Sequence, residues 1–556
     1  MWTVFRERLS EVPVNPAVTF TTDSDDSPTD VSLSYPELDL RSARTAAWLR
    51  GRLAPGDRAL VLCPTAPEFA TAFLGCLRAG VVAVPVPPPG RFRHERRRVT
   101  GIARDAGVRA LLTDVATGPA VAAWAAEEGV SAPRHEVDGP GPEPGSDRLA
   151  DVPALLQYTS GSTGRPKGVV VTQANLLSNV DAIVAAHGMG RHDRFGGWIP
   201  LHHDMGLIGL LLPGILRGAG YVQLSPVAFL RRPHRWLRLL DRYDLHASAS
   251  PDFGFDLCAR RVTDEQLTDL DLSRVRGVVN GAEPVRASTV ERFTARFAPA
   301  GFRAEAMVPS YGLAEATLMA TCTPGRPPRR VPFDPAALER GELRPADGSR
   351  ELVGCGARRS GELLIVDPTS GAEREPGRIG EIWLRGPGVA AGYWRDEVAT
   401  AAVFGAHTVD GRGPYLRTGD LGGVLDGDLF VTGRRKDVLV LRGRTLHPQD
   451  VEDELREAHP ELAGLHGAVF AVDGVADLVV VHEIRGHWGA ERFAAVAAGI
   501  RHTVSREFGV VAGVVALVRP GAVLRTTSGK VERAATRAGY LADELDTLLH
   551  SAAVPR

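Results

Sequence analysis

The order of apolar and polar positions divides the chain into differently patterned stretches. From Arg58 a short apolar run, RALVLC, is followed by helical spacing from Pro67 to Arg78 and a second run, VVAVPV. Strand, helix and strand in that order predict a βαβ unit of a parallel sheet, ended by the proline-rich Pro85 to Pro89. RALLTD and the alanine-rich Ala116 to Glu128 predict a second unit, and His135 to Arg148, rich in Pro, Gly and Asp, predicts a loop between subdomains. The run Val152 to Leu156 and GVVVT predict two more strands, followed by a helix from Gln173 to about Ala186. Alternation continues from Trp198 to Phe297 and includes an apolar helix, MGLIGLLLPGIL, and a strand, YVQLS.

From Gly361 to Tyr393 the pattern shortens to strands with turns, GELLIVDP and GEIWLRGP, which predict a β-rich subdomain. After strand DLFVT and Gly433 come strand DVLVL, a helix opened by Pro448, strands around AVFAV and DLVVVHEI, a helix near Arg492 to Ser505, and strand GVVALV. That set predicts a small α+β domain of about 120 residues, an ordinary domain size. The class is therefore α/β, with a large N-terminal part of several subdomains and a small C-terminal domain.

Composition narrows the function. A net charge of −2 over 556 residues, with no basic block interleaved with aromatics, argues against nucleic acid as a partner. Five scattered cysteines without C-x-x-C spacing argue against a zinc ribbon or a disulfide framework and suit a reducing cytoplasm. No run approaches the roughly 20 apolar residues of a membrane span, and MWTVFRERLS lacks a signal-peptide core, so a cytoplasmic protein is expected.

Candidate chemistry begins at QYTSGSTGRPKG, Gln157 to Gly168. A strand opening into hydroxyls and glycines exposes several backbone N–H groups together, which suits a phosphate, and Lys167 adds a mobile charge. The P-loop pattern fails, because Pro166 precedes Lys167 and Gly168 follows it. Of the 65 Lys and Arg residues only Lys167, Lys436 and Lys530 are lysine, each with glycine within three positions. Arginine does not replace a compact ammonium that must reach one oxygen.

Further stretches fit a nucleotide beside that loop. NGAEP, with Gly281, Ala282 and Glu283, and SYGLAEATL, with Tyr311, Gly312 and Glu315, each offer a glycine near which a flat base can lie. Glu315 suits a magnesium ion, which takes one or two carboxylates plus phosphate oxygens. YLRTGDLG presents Asp420 in a tight turn where it can accept ribose hydroxyls, and GRRKD places Arg434 near ribose or phosphate. RTTSGKVER carries Lys530 on a Ser/Gly loop before a helix. Taken alone, NGAEP and SYGLAEATL also fit turns at sheet ends, and Asp420 an Asx-turn. His202, His203 and Asp204 lack a spaced third ligand, so a wall of an acyl pocket with Met205 is preferred over a metal site.

Together and in this order, these stretches resemble the adenylate-forming superfamily of acyl and aryl ligases and adenylation domains, over nearly the whole chain. WIPLHHDMGLIG, FLRRPHRWL with SPDFGFDLC, NGAEPVR, SYGLAEATL and RGRTLHPQDVE narrow the resemblance to the fatty acyl-AMP ligases. It implies a large domain over 1–433 with two mixed or parallel sheets and a β-rich subdomain, a hinge over 434–436 at Lys436, and a mobile small domain over 437–556. It also implies ATP and Mg²⁺ as cofactors, a fatty or related carboxylic acid as substrate, and a separate phosphopantetheinylated acyl carrier protein as acceptor. Coenzyme A as acceptor is the alternative.

By the same resemblance Thr159, Ser160, Gly161, Ser162, Thr163, Gly164 and Lys167 hold phosphates, and Glu315 holds Mg²⁺. Gly281, Ala282, Glu283, Tyr311, Gly312, Asp420 and Arg434 complete the nucleotide site, His203, Asp204, Met205, Gly206 and Phe253 border the acyl chain, and Lys530 is catalytic. Departures from the family pattern are His202 for Tyr, Ser250 and Asp252 for Gly and Asn, and Arg435 for an apolar residue. The first three leave acyl length and polarity open. A family insertion that discourages coenzyme A is expected between Pro324 and Ser360.

Overall fold

The computed structural model describes residues 1–12, 14–21, 29–90, 93–159, 166–347, 350–441, 444–472, 475–486, 488–525 and 531–552. A seven-stranded sheet has the order Gly392–Tyr393, Lys167–Val171, Leu155–Thr159, Val82–Pro85, Arg58–Val61, Ala110–Thr113, Arg134–Glu136. Its last five strands are parallel, as the βαβ reading requires. Helix Ala66–Ala79 is buried almost all round between the sheets, which explains its nearly continuous apolar sequence, and Gly80 ends it in the left-handed region at φ 64°. The predicted loop from His135 instead begins inside an edge strand, Arg134–Glu136.

A nine-stranded sheet places Met307–Gly312, Gly277–Asn280, Leu245–Ser250, Arg194–Gly197 and Tyr221–Leu224 side by side in parallel. One contiguous core joins the two sheets, running from Ala59, Ala83 and Leu155 to Phe195, Ala247 and Ala249. Helix Gln173–Ala186 starts where expected, because Thr172 and Asn175 form a capping box. The predicted apolar helix from Met205 is not uniform: a turn at Asp204–Gly206 passes into a π-helical turn, Leu207–Leu211, and then Leu212–Arg217. Pro213 has no N–H to give the carbonyl four residues back, and the widened turn before it accommodates that loss.

The β-rich part is a four-stranded antiparallel sheet of Glu362–Val366, Gly380–Arg385, Leu416–Leu425 and Asp428–Arg434. Gly392–Tyr393, expected within it, pairs instead with Val169 and Val170 at the edge of the seven-stranded sheet. Within the region expected to hold the insertion, Arg330–Phe333 pairs with Arg350–Val353, and Phe333 packs edge-on to Phe430. After a 3₁₀ turn at Arg435–Asp437 the small domain packs helices Pro448–Ala458, Ala490–Phe508 and Arg533–Leu541 with a sheet of Gly467–Phe470, Val479–Glu483, Val514–Val518 and Thr547–Ala552. The last strand was not foreseen, since its residues are largely exposed and carry no apolar run. All five cysteines are buried and free. Among the described residues, no helix is long and apolar enough to cross a membrane.

Candidate active site

At the C-terminal ends of these parallel strands, where α/β sheets bind ligands, lies a cavity of about 760 Å³. From one sheet Thr159 and Lys167 line it as direct register partners, so the phosphate-loop candidate is the connection of a hairpin. The expected contacts Ser160, Gly161, Ser162, Thr163 and Gly164 lie outside the described residues, as does Lys530. Yet Glu532, two positions beyond Lys530, sits 4.0 Å from Arg98, and Arg98 lines the cavity.

Lys167 stands 3.5 Å from Asp396 and 4.8 Å from the ring centre of Tyr393. The Tyr393 hydroxyl donates to Glu315 Oε1 at 2.8 Å, and burial followed by that carboxylate raises the phenol pKa. Glu315 projects into the cavity from a 3₁₀ turn, Ala314–Ala316. On the facing wall Tyr311 donates to Asp420 Oδ2 at 2.8 Å, and Arg434 Nε donates to Oδ1 at 3.1 Å. A carboxylate has about four acceptor positions, so Asp420 retains capacity for a ribose hydroxyl. Gly281, Ala282 and Gly312 line the same space, and Lys436 stands at its rim.

Glu283 does not line the cavity. Its carboxylate accepts the Phe253 N–H at 2.6 Å, and burial, reinforced by Asp252, pushes its pKa up to about 7. Asp252 is itself fully buried among Asn280 at 3.0 Å, Thr289 at 2.9 Å and Arg286 at 3.4 Å. Of the expected acyl-pocket residues, His203, Asp204 and Met205 line the cavity, whereas Gly206 and Phe253 do not. Gly206 instead lets the chain pass Pro200, whose carbonyl oxygen would lie 2.4 Å from an added Cβ. Phe253 packs edge-on to Trp198 behind the wall. No group of His, Cys, Asp and Glu among the described residues forms a ready metal cage.

Beyond the polar end the cavity continues between Met205, Gly209 and Leu210 of the π-turn region and the strands carrying Ala249 and Val279. It reaches Ile183, His187 and Phe195. A model of the AMP-binding enzymes matches residues 5–394. The chain belongs to that family. A second model, the Disco-interacting protein 2-like AMP domain, matches residues 436–549.

Among similar proteins, the medium-chain-fatty-acid–[acyl-carrier-protein] ligase JamA of Moorena producens is 39% identical, covering 93% of this chain and 91% of that one. The long-chain-fatty-acid–AMP ligase FadD26 of Mycobacterium marinum is 37% identical over 98% of both. A solved structure of a fatty acyl-adenylate ligase from L. pneumophila, in complex with acyl adenylate and pyrophosphate, has a TM-score of 0.75 at 31% identity. It covers 99% of this chain and 97% of that one.

In this AMP-binding enzyme, the Glu315 carboxylate, which lines the same cavity as Thr159 and Lys167, fits a magnesium ion that would arrive with a nucleotide, since Mg²⁺ usually keeps waters and phosphate oxygens. Sequence reasoning missed Glu381, Arg417, Tyr393 and Arg98. Glu381 is buried, takes Arg417 at 2.7 Å and the Gly419 N–H at 3.2 Å, and so fixes the strand segment that presents Asp420, which pairs with Arg434 in the ladder rather than standing in the expected tight turn. Its signal was a lone acid in the apolar run GEIWL.

Proposed function

We propose that this enzyme activates a fatty or related carboxylic acid with ATP. A carboxylate oxygen attacks the α-phosphorus, the bond to the β-phosphate oxygen breaks, and an acyl-adenylate forms as pyrophosphate leaves. The thiolate of a phosphopantetheine arm on a separate acyl carrier protein then attacks the acyl carbonyl, and AMP departs. The observation that carries this reading is one cavity joining a polar end at Lys167, Glu315 and Asp420 to a channel walled by Met205, Leu210, Val279 and Phe195.

Two anions must meet, so the work is electrostatic and positional. Thr159 and Lys167, with Ser160, Ser162 and Thr163, hold the leaving phosphates, and Mg²⁺ on Glu315 would neutralise them. Tyr311 closes one face of the base, and Asp420 and Arg434 orient the ribose. Lys530 bridges the acid and the α-phosphate. The short distance from Glu532 to Arg98 supports this, because two residues reach at most about 7 Å. The small domain, 437–556, then turns about 434–436 to admit the thiol. The pairing of Arg350 with Asp450, 2.6 Å apart, ties the region of the expected insertion to the small domain and favours a carrier protein over coenzyme A. Free buried cysteines support a cytoplasmic setting.

The test is fatty-acid-dependent ATP–pyrophosphate exchange, followed by transfer assays with a loaded carrier protein and with coenzyme A. Lys530→Ala is expected to lower exchange by about 10² to 10³ while ATP still binds. Undiminished exchange in that variant would refute the assignment of Lys530.

A further inference from the structure

The apolar arm of the cavity has a definite floor. Phe195 is the register partner of Ala247, and Ala247 of Gly277, so these three stand in one rung across neighbouring parallel strands. All three line the cavity, as do Ala249 and Val279 two residues further along, and then Gly281 at the nucleotide end. The side-chain period of two puts them on one face of the sheet. Small residues at 247, 249 and 277 leave a groove along the strands. From Gly277 to Gly281 is four strand residues, about 13 Å. An extended chain advances about 1.1 to 1.2 Å per bond, so the groove takes about ten to twelve chain atoms.

What stands at the bottom is not apolar. His187 follows the helix Gln173–Ala186, lines the cavity, and lies against Gly277, where an added Cβ would be 2.6 Å from its Nδ1. Among the described residues, nothing hydrogen-bonds its ring. Burial, followed by the Arg359 charge, lowers its pKa to about 4, so at neutral pH it is an uncharged imidazole with one donor and one acceptor nitrogen. Phe195 supplies an aromatic wall on the same rung, two strands across from Gly277.

Resting on the adenylation reading above, we propose that the acyl substrate runs from Gly281 down to Gly277 and ends in a hydroxyl that hydrogen-bonds His187. The substrate class is a medium-length carboxylic acid hydroxylated at its far end. A plain methyl end offers the ring no hydrogen-bond partner. A net hydrogen bond of this kind corresponds to about a three- to tenfold preference.

Exchange kinetics on the full-length enzyme decide it, with hexanoate, decanoate, hexadecanoate and ω-hydroxydecanoate as probes. The expected result is that ω-hydroxydecanoate has a KM about three- to tenfold below that of decanoate at similar kcat, and that hexadecanoate is poor. His187→Leu should collapse the ratio of the two ten-carbon acids to about one, and His187→Gln should restore part of it. A wild-type ratio of one or less, a ratio unchanged in His187→Leu, or hexadecanoate as good as decanoate would each overturn the proposal. The wild-type ratio decides even if a variant does not fold. Absence of exchange with every acid would instead sink the adenylation reading.

Discussion

Glu381 holds three groups with one buried carboxylate: Arg417, the Gly419 N–H, and Arg435 at 3.9 Å. Glu381→Gln keeps the shape and removes the charge that separates two guanidinium groups. Since hydrogen bonds to charged groups contribute about 1.5–3 kcal/mol, we expect KM for ATP to rise about tenfold or more, with a smaller change in kcat. Steady-state exchange kinetics check this, and an unchanged KM would show that the Asp420 strand segment holds its place without Glu381. Asp252 poses a similar problem, because it puts a charge where the resembled family carries Asn. The structure resolves it with Arg286, whose guanidinium and backbone N–H both meet the carboxylate. The sequence contained both residues, 34 positions apart, and no local spacing linked them.

The helix Pro448–Ala458 places Asp450, Asp453 and Glu457 three and four positions apart, on one face. Each meets the large domain: Asp450 pairs with Arg350 at 2.6 Å, Asp453 with Arg286 at 3.1 Å, and Glu457 accepts Ser288 at 3.2 Å. This face clasps the small domain in the orientation that brings Glu532 to Arg98. With each ion pair contributing on the order of 1 kcal/mol, replacing both Asp450 and Asp453 by Asn should slow adenylate formation about thirtyfold. Transfer from preformed acyl-adenylate should be unaffected. Single-turnover measurement of the two steps separates them, and equal loss in both would argue against a clasp. The helix itself was legible from Pro448 and its spacing, whereas the π-turn at Leu207–Leu211 was not, because an apolar run carries no record of which carbonyls find a partner.

Over the whole molecule, buried histidines govern acid stability. His135, His187 and His447 are lowered to about 4 and His466 and His482 to about 3, chiefly by burial. Folded, they bind fewer protons than unfolded chains do between those values and 6.5, so stability falls as pH drops through that window. Glu283 and Asp450, raised to about 7, act oppositely: the proton they keep when folded stabilises below about pH 4 and that benefit fades as pH rises towards 7. The five histidines outnumber the two carboxyls. Thermal melts should therefore show a midpoint that falls from pH 6.5 to 4.5, and His482→Asn should shallow that slope by about one proton, some 1.4 kcal/mol per pH unit. A midpoint that rises on acidification would contradict this. By itself the sequence determined the alternation of strands and helices, the two-part division, and which short stretches carry Thr159, Lys167, Glu315, Asp420 and Arg434, because periodicity and motif chemistry are local. Of these residues only Glu315 stands on a turn, and Asp420, expected in a tight turn, is paired with Arg434 inside a strand ladder. Only the tertiary structure decided that Tyr393 leaves the β-rich part to reach Glu315, that Glu283 turns away from the cavity, and that His187 closes its apolar arm. Those outcomes depend on which strands become neighbours, and strand order is set by burial of the whole core.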